Sequence, residues 1–303
     1  MWGGKGVTMK AAMTTPDPFL AARPKLFGIA YRMLGSAAEA EDLVQDAWLR
    51  WQGADRSDVA DPTGFLVTTT IHLAINVTQS ARARRETYIG PWLPEPIDTT
   101  NDPALGAEKA EALELAVLVL LEKLSATERA AYVLREAFDY SYRQIADILK
   151  VEEPNARQLV TRARKHLADE RRVPASAAEQ ERLLGAFMDA ARRGDHAALE
   201  RLFAADIVSR TDGNGVVNAA RVPVTGRERV AKFVAGFPAN FWKGVSLARV
   251  EANGGPAFLL SREGAPIALA MLDASTDGIE SLFWVMNPEK LSRISAPRPA
   301  SPA

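Results

Sequence analysis

The chain has 303 residues, enough for two or three domains, and its 25% charged and 47% apolar residues are typical of soluble globular proteins. Its net charge of −1 excludes a polyanion-binding surface spread over the whole chain, so any nucleic-acid site must be local. The absence of cysteine excludes disulfides, thiolate zinc sites and thiol redox sensors, and the few histidines, His72, His166 and His196, show no metal-ligand spacing.

The N-terminal segment, residues 1–18, has no apolar core of the kind that a signal peptide needs, and we expect it to be disordered. The longest unbroken apolar run, Leu115–Leu121, is far shorter than the roughly 20 residues of a membrane-spanning helix. We therefore expect a cytoplasmic protein, and no pattern in the sequence calls for a metal or a cofactor.

Residues 19–85 have the pattern of a helical domain. A first apolar stripe ends at Gly35, and Ser36 with Glu39 forms a capping-box pattern that predicts the start of a second helix. The predicted apolar positions are Leu26, Ile29, Ala30 and Met33 in the first helix and Ala40, Leu43, Val44, Ala47 and Trp51 in the second. The outer face of the second helix carries Glu41, Asp42, Gln45 and Asp46. Simple solvation explains such an acidic face as well as a binding role does.

A turn-rich loop, Gly53–Gly64, leads into a long predicted helix that begins at Asp61-Pro62 and contains Phe65, Leu66, Leu73 and Val77. This helix ends in a basic cluster of Arg82, Arg84 and Arg85. A basic helix end can bind phosphates, or it can simply compensate the helix dipole.

Residues 86–108 form a linker that contains five acids, no base and four prolines. Such a composition predicts an extended, semi-rigid segment that is not packed into a domain. Within it, Trp92 and Leu93 stand among prolines in the motif WLPEP. These apolar side chains suggest a docking segment, with packing against a neighbouring domain as the simpler alternative.

Residues 109–172 are predicted to be a helical unit that contains a helix-turn-helix. Lys109–Leu124 should form an apolar helix beneath it, and capping boxes at Ser125 with Glu128 and at Ser141 with Gln144 start the next two helices. Pro154 suits the first turn of the last helix. The predicted buried positions are Ile145, Ile148 and Leu149, then Ala156, Leu159, Val160, Ala163 and Leu167.

The opposite face of that last helix is basic and polar. In a helix-turn-helix the second helix enters the DNA major groove, where Arg can bind guanine, Gln can bind adenine, and Lys or Arg can bind phosphates. The candidates are Arg157, Gln158, Thr161, Arg162, Arg164 and Lys165. A solvated helix face is the alternative.

The last part of the chain has a different character. After a short linker, residues 173–178, the segment 179–292 shows two helices, a strand, a third helix and then several strands. This order predicts an α+β domain with a curved antiparallel sheet. The predicted strands are DIVSRTDG, NAARVPVTG, VSLARVEANG, PAFLLSREG, PIALAMLDA and IESLFWVMN. The tail, residues 293–303, is predicted to be disordered.

Residues 19–170 resemble bacterial sigma factors of the extracytoplasmic-function type. The part of these proteins that binds the clamp of core RNA polymerase resembles the segment EAEDLVQDAWLRW. The helix that reads the minus-ten element resembles GFLVTTTIHLAINVTQSARARR. The part that reads the minus-thirty-five element resembles YRQIADILKVEEPNARQLVTRARKHL. Residues 179–292 resemble the SnoaL-like, nuclear-transport-factor-2-like cone. WLPEP in the linker and NPEKL at Asn287–Leu291 match the subgroup that carries this cone as a fused domain.

The chain departs from the subgroup at two places. The subgroup usually has a DGGG stretch followed by a basic residue, where this chain has Asp212-Gly213-Asn214-Gly215-Val216. The turn of the helix-turn-helix also lacks its usual glycine.

The resemblance implies two all-α sigma domains, a fused α+β cone and roles for individual residues. Core polymerase would meet Glu41, Asp42, Gln45, Asp46, Trp48 and Leu49. The loop Gly53–Gly64 would capture a flipped promoter base, a step that costs a few kcal/mol. The minus-ten element would meet His72, Asn76, Gln79, Arg82, Arg84 and Arg85, and the minus-thirty-five element the six candidates in the last helix of the helix-turn-helix. Regulatory contacts would involve Trp92, Leu93, Pro94, Asp212, Asn287, Pro288, Lys290 and Leu291.

The resemblance leaves the role of the cone open, because fold does not confer function. It implies core RNA polymerase and promoter DNA as partners, no membrane and no cofactor. Because the cone is covalently attached, we expect it to regulate transcription in cis without catalysis. Enzymes of the same fold use polar groups inside the cone, where the candidates are Asp206, Asp212 and Asp273 with Phe283 and Trp284 as walls. A small-molecule sensor, an enzyme fused to a DNA-binding regulator and a plain repressor are the alternatives.

Overall fold

The computed structural model describes residues 17–55, 57, 59–99, 114–168, 173–237 and 239–294. Of the ends predicted to be disordered, residues 1–16 and 295–303 lie outside the described residues, as do linker residues 100–108, residues 109–113 of the predicted apolar helix and the end of the helix-turn-helix unit at 169–172. The disorder predicted for residues 17–18 and 293–294 is wrong, because Pro18 begins a helix and Ile294 is buried in the apolar cluster on the sheet. The side chains of residues 81–86 lie outside them too, although their backbone is helical.

The first domain consists of α1 (Pro18–Leu34), α2 (Ala37–Gly53) and α3 (Pro62–Glu86). The stripe predicted for α1 is buried, and Gly35 ends the helix at a left-handed φ of 66°. All five apolar positions predicted for α2 are buried as well. Ser36 Oγ accepts a hydrogen bond from the Glu39 amide, as the capping pattern predicts.

The helix-turn-helix unit contains α4 (Leu115–Leu121), α5 (Ala126–Glu136), α6 (Tyr142–Leu149) and α7 (Glu153–Ala168). Both predicted capping boxes are complete. The turn after α6 places Lys150 at φ 54°, a left-handed conformation that glycine adopts more easily. The turn therefore has a left-handed residue without a glycine, and Lys150 adopts this conformation at some cost in strain.

The C-terminal domain begins with α8 (Ala177–Arg193) and α9 (His196–Leu202). Its strands are β1 (Phe203–Asp212), β2 (Val224–Thr225), β3 (Val245–Ala252), β4 (Gly255–Arg262), β5 (Ala265–Ser275) and β6 (Gly278–Val285), and its other helices are α10 (Arg227–Ala235), α11 (Ala239–Trp242) and α12 (Pro288–Leu291). The strand order in the six-stranded sheet is β2-β1-β6-β5-β4-β3.

Two expectations about this sheet are wrong. The sheet is mixed, because β1 pairs parallel to β6 while the other neighbours pair antiparallel. The segment NAARVPVTG contributes only the two residues of β2, and its earlier part forms a loop. Alternating side chains predict a strand but carry no information about the direction of its partner.

Three apolar clusters hold the chain together. One runs without interruption through α1–α3 and α4–α7, so the two helical domains share a core. A second lies between α8–α10 and one face of the sheet. The third covers the other face of the sheet and includes Leu93 from the linker and Leu115 from α4. The apolar helix α4 therefore packs partly beneath the helix-turn-helix and partly on the sheet.

The linker is the main correction to the sequence analysis. Residues 87–99 are extended, as predicted, but they are packed between the first helical domain and the sheet: Leu93 is 0% exposed, Ile97 5% and Glu95 6%. The prolines leave few backbone N–H groups that need partners, so the segment can be buried without joining a regular sheet. No helix in the part of the chain that the structure describes is long and apolar enough to span a membrane.

Candidate functional site

The recognition-helix candidates all lie on the exposed face of α7. Gln158, Thr161 and Lys165 lie opposite the buried stripe, because they are spaced three to four residues apart on the other side of the helix. The arginines at the edges of this face are held by acids. Arg157 lies over the Tyr142 ring and pairs with Glu153, Arg162 pairs with Glu128, and Arg164 pairs with Glu136.

The minus-ten candidates on α3 differ in their exposure to solvent. Asn76 and Gln79 are exposed, whereas His72 is half-buried against the helix-turn-helix. His72 Nε2 lies 2.7 Å from the carbonyl oxygen of Ile148 at the end of α6. The side chains of Arg82, Arg84 and Arg85 lie outside the described residues.

The polymerase-binding candidates form the outer face of α2. Asp42, Gln45, Asp46 and Leu49 are exposed, and the exposed fraction of Leu49 is 55%. Glu41 pairs with Arg23 at 3.0 Å, and Trp48 is half-buried beside Phe19. An exposed leucine among acids is available for an apolar contact within a charged interface.

The regulatory candidates come together around Asp212, which is completely buried at the end of β1. Its Oδ2 accepts hydrogen bonds from the Leu93 amide at 2.8 Å and from Lys290 Nζ at 2.7 Å, and its Oδ1 accepts one from Tyr88 at 2.5 Å. Lys290 Nζ also donates to the carbonyl oxygen of Leu93 and lies 4.4 Å from the centre of the Trp92 ring. WLPEP and NPEKL therefore meet at one buried ion pair.

The Tyr88 hydroxyl completes this group, and sequence reasoning missed it. Burial, followed by the hydrogen bond to Asp212, raises the pKa of Tyr88 above its ordinary range, so the hydroxyl stays protonated and donates. The same oxygen accepts a hydrogen bond from Asn287 Nδ2 at 3.2 Å. Asn287 also caps α12, because its Oδ1 accepts a hydrogen bond from the Glu289 amide. Leu291, the last residue of α12, is buried. Pro288 opens α12, and Pro94 is buried in the linker.

A second group joins the linker to the first helical domain through Glu95. Its Oε2 accepts hydrogen bonds from the Ala37 and Ala38 amides at 2.9 and 3.3 Å and from Ser36 Oγ at 3.1 Å, so the linker caps the start of α2. Its other oxygen pairs with Arg293 at 3.0 Å. Glu95 was missed although it lies within WLPEP, because its partners are far away in sequence.

A third group joins the linker to the turn between β3 and β4. The Asn253 amide donates to the carbonyl oxygen of Ile97, and the Ile97 amide donates to Asn253 Oδ1. Asn253 Nδ2 donates to the Tyr31 hydroxyl at 2.7 Å. Tyr31 in turn donates to the carbonyl oxygen of Glu95 at 2.6 Å. The C-terminal domain thus reaches α1 directly as well as through the linker.

The cone candidates for catalysis are not brought together. Asp206 is exposed, Asp212 faces the linker, and Asp273 is half-buried on β5. Phe283 and Trp284 are neighbours in β6, so they point to opposite faces of the sheet and belong to different clusters. Among the described residues no group of His, Asp or Glu could hold a metal ion.

Two family models match the helical half of the chain. Residues 19–86 match the family model for sigma-70 region 2, and residues 114–167 match the one for sigma-70 region 4. The chain is 33% identical to the ECF RNA polymerase sigma factor SigJ of Mycobacterium tuberculosis over 90% of its own length and 92% of that protein's. It is 34% identical to a probable ECF RNA polymerase sigma factor, SigI, of the same species, over 70% of its length and 77% of the relative's.

The fold agrees with this similarity. The crystal structure of M. tuberculosis SigJ superposes with a TM-score of 0.74 at 30% identity, covering 92% of this chain and 98% of that one. That match includes the C-terminal domain with its mixed sheet, and the two family models account for the helical half. The chain therefore belongs to the extracytoplasmic-function sigma factors of RNA polymerase.

Proposed function

We propose that the C-terminal domain regulates this sigma factor in cis, by holding regions 2 and 4 in a closed arrangement through the linker between them. The observation that carries the proposal is the burial of residues 87–99 between region 2 and the sheet, with Asp212 and Lys290 bound to the WLPEP segment. The residues held in this way cannot extend, which shortens the reach of the linker between the two DNA-reading regions.

The closed arrangement is incompatible with reading both promoter elements at once. The minus-ten and minus-thirty-five elements lie roughly 25 base pairs apart, or about 85 Å at 3.4 Å per base pair. Here regions 2 and 4 share a core, and His72 bonds to the backbone of the helix-turn-helix. Arg129 adds a further link, since its Nη1 donates to the carbonyl oxygen of Met33 at 2.6 Å.

Tethering makes such control effective even where individual contacts are weak. The linker joins domains of one chain, so their effective concentration is high and each contact needs little intrinsic affinity. Opening then requires release of three groups of linker contacts, around Asp212, Glu95 and Asn253, and of the direct contacts between regions 2 and 4. Any ligand or partner that weakens one of them shifts the population toward the open, promoter-competent form.

In the open form the exposed faces take the roles of a sigma factor. The acidic face of α2, with Asp42, Asp46 and Leu49, binds the polymerase clamp, where charge pairs mainly steer the encounter and set its register. Asn76 and Gln79, with His72 once it is released, read the minus-ten element. The exposed face of α7 reads the minus-thirty-five element.

The contacts of α7 predict which side chains read bases. Gln158 has no acidic partner among the described residues and lies at the centre of the exposed face, whereas Arg164 is held by Glu136 at 2.7 Å. We expect Gln158→Ala to cost about 1–2 kcal/mol of binding to the cognate minus-thirty-five element and almost nothing on unrelated DNA. Arg164→Ala, in the same helix, should cost less on the cognate element than Gln158→Ala, because Glu136 already holds the Arg164 guanidinium. Binding titrations on both DNAs check this, and an equal loss on both would assign Gln158 to backbone contact.

The closed arrangement can be tested by locking it. The chain has no cysteine, so Thr69→Cys and Lys150→Cys, which line one cleft between α3 and the helix-turn-helix, can be joined by a cleavable thiol cross-linker. We expect cross-linking to reduce transcription from a promoter that needs both elements by about tenfold or more, within the usual range of coupling between sites. Cleavage of the chemical cross-linker should restore transcription.

The matched control joins Arg50→Cys to Thr69→Cys with the same reagent, because both positions line the same cleft but belong to region 2. That cross-link should leave transcription at the level of its own uncross-linked variant. Full transcription by the locked Thr69–Lys150 protein would contradict the proposal that the closed arrangement is inactive.

A further inference from the structure

One tyrosine of the helix-turn-helix lies among the arginines of two other helices. Tyr142 is the first residue of α6, directly after the Ser141 cap, and its half-buried ring packs on the core that the helical domains share. The guanidinium carbon of Arg157 lies 4.4 Å from the centre of this ring, and that of Arg135 lies 4.9 Å from it. The ring therefore contacts one arginine of α5 and one of the exposed face of α7.

The Tyr142 ring is itself held in place. Both hydrogen bonds of the capping box at Ser141 are formed, so the backbone at the start of α6 is fixed. On the side of α5, Arg135 is half-buried, and its Nη1 donates to the carbonyl oxygen of Tyr140 at 2.9 Å. A cation over an aromatic face is attracted to it, and a planar guanidinium also stacks there. Arg157 is therefore restricted to fewer directions than an arginine that extends into water.

The acidic partner of Arg157 holds it only weakly. Its Nη2 pairs with Glu153 Oε1 at 3.3 Å, one turn earlier in α7, and the two side chains are 59% and 48% exposed. An exposed pair of this kind contributes little, so the guanidinium can exchange it for DNA. The carboxylate beside Arg157 also repels phosphates, which favours a base edge as the target. Residues near the start of a recognition helix are the ones that contact base edges.

Arg164, at another edge of the same face, is held more firmly. Its Nε and Nη2 both donate to Glu136 Oε1, at 3.1 and 2.7 Å. The hydrogen bond to Glu136, with a smaller contribution from the Tyr142 hydroxyl, raises the pKa of Arg164. The two parts of Tyr142 therefore act on different arginines of α7, the hydroxyl on Arg164 and the ring on Arg157.

We propose that Tyr142 is a positioning residue for promoter recognition, whose ring directs the Arg157 guanidinium toward a guanine of the minus-thirty-five element. Arginine binds O6 and N7 of guanine through two parallel hydrogen bonds, which require the right plane as well as the right reach. An aromatic face restricts that plane, and an aliphatic side chain does not. The inference rests on the proposal that α7 reads this element, and it adds the residue that orients one of the readers.

The test measures discrimination between bases by the full chain assembled with core RNA polymerase. The probe is a duplex that this holoenzyme selects from a library randomised at the minus-thirty-five element, and each G·C pair is then replaced by A·T in turn. Discrimination is the ratio of the affinities for the original and the replaced duplex. Each ratio compares two DNAs on the same protein, so a loss of folded protein cancels. We expect Arg157→Ala to lower discrimination about tenfold at one pair.

At that pair Tyr142→Leu should lower discrimination about three- to fivefold, the effect of losing an exposed cation–π contact. Tyr142→Phe keeps the ring and should retain the discrimination of the wild type. In a chain that already carries Arg157→Ala, Tyr142→Leu should have no further effect, because it acts through that arginine. Tyr140→Leu is the matched control, since the Tyr140 ring lies 4.6 Å from Lys25 Nζ, and it should leave discrimination unchanged.

Three results would overturn the positioning role: unchanged discrimination in Tyr142→Leu, an equal loss at every base pair, or an equal loss in Tyr142→Phe. The first would show that Arg157 needs no support, the second that Tyr142 acts on the whole fold, and the third that the hydroxyl is responsible. A loss for Gln158→Ala with none for Arg157→Ala would keep α7 as the reader and refute the inference alone. No loss for either variant would refute the proposed role of α7 and the inference together.

Discussion

Replacement of Lys290 by Met is expected to destabilise the protein by about 3–5 kcal/mol, the range for removal of one partner from a buried ion pair. The side chain of Asp212 is 0% exposed and that of Lys290 is 11% exposed. Water therefore cannot solvate the Asp212 carboxylate once the lysine charge is removed. Met preserves most of the packing volume against Tyr88 and Trp92. Equilibrium unfolding in urea, followed by circular dichroism and by tryptophan fluorescence, measures the change.

A second variant and a control separate charge from packing. Adding Asp212→Asn to Lys290→Met should recover part of the lost stability, because it removes the buried charge that has no partner. Lys243→Met changes an exposed lysine in the same domain and should stay within about 0.5 kcal/mol of the wild type. A loss below about 1 kcal/mol for Lys290→Met would show that the pair does not hold the linker.

The second large effect is expected for Glu95→Ala, at about 3 kcal/mol. The carboxylate caps α2, and loss of an N-cap alone costs up to about 2 kcal/mol. The variant also leaves Ser36 Oγ without its charged acceptor, and a hydrogen bond to a charged group contributes about 1.5–3 kcal/mol. The pair with Arg293, whose side chain is 42% exposed, adds little.

Glu95→Ala should also loosen the start of α2, the helix proposed to bind polymerase. We therefore expect faster amide hydrogen exchange in the first turn of α2. Glu95→Gln keeps the shape and a neutral acceptor, and it should lose less stability than Glu95→Ala. Asp189→Ala, at an exposed acid on α8, is the control for loss of a surface carboxylate. Unchanged exchange in α2 together with wild-type stability would refute the capping role.

Local structure could be predicted from the sequence to a large extent. The capping boxes at Ser125 and Ser141, the buried stripe of α7 and the stop at Gly35 depend on residues within one or two helical turns of each other. Their physics is local, because a side chain satisfies a nearby free amide or faces one side of a helix. The motifs WLPEP and NPEKL likewise indicated the family and the segments that meet in the fold.

The linker shows where such reasoning failed. Its acids and prolines predict an unpacked spacer, yet Leu93 and Glu95 are buried. Their burial depends on Asp212, Lys290 and the start of α2, which lie far along the chain and supply the hydrogen bonds that composition cannot indicate. Burial of a polar segment is favourable only when distant partners satisfy it.

The helices, their exposed faces and the presence of a sheet follow from patterns within the sequence. The parallel pairing of β1 with β6, the contact of His72 with Ile148 and the burial of Glu95 depend on the folded chain. The difference lies in the range of the interactions. Propensity, capping and side-chain periodicity act within a few residues, whereas strand pairing, domain docking and the burial of polar groups depend on which distant surfaces the folded chain brings together.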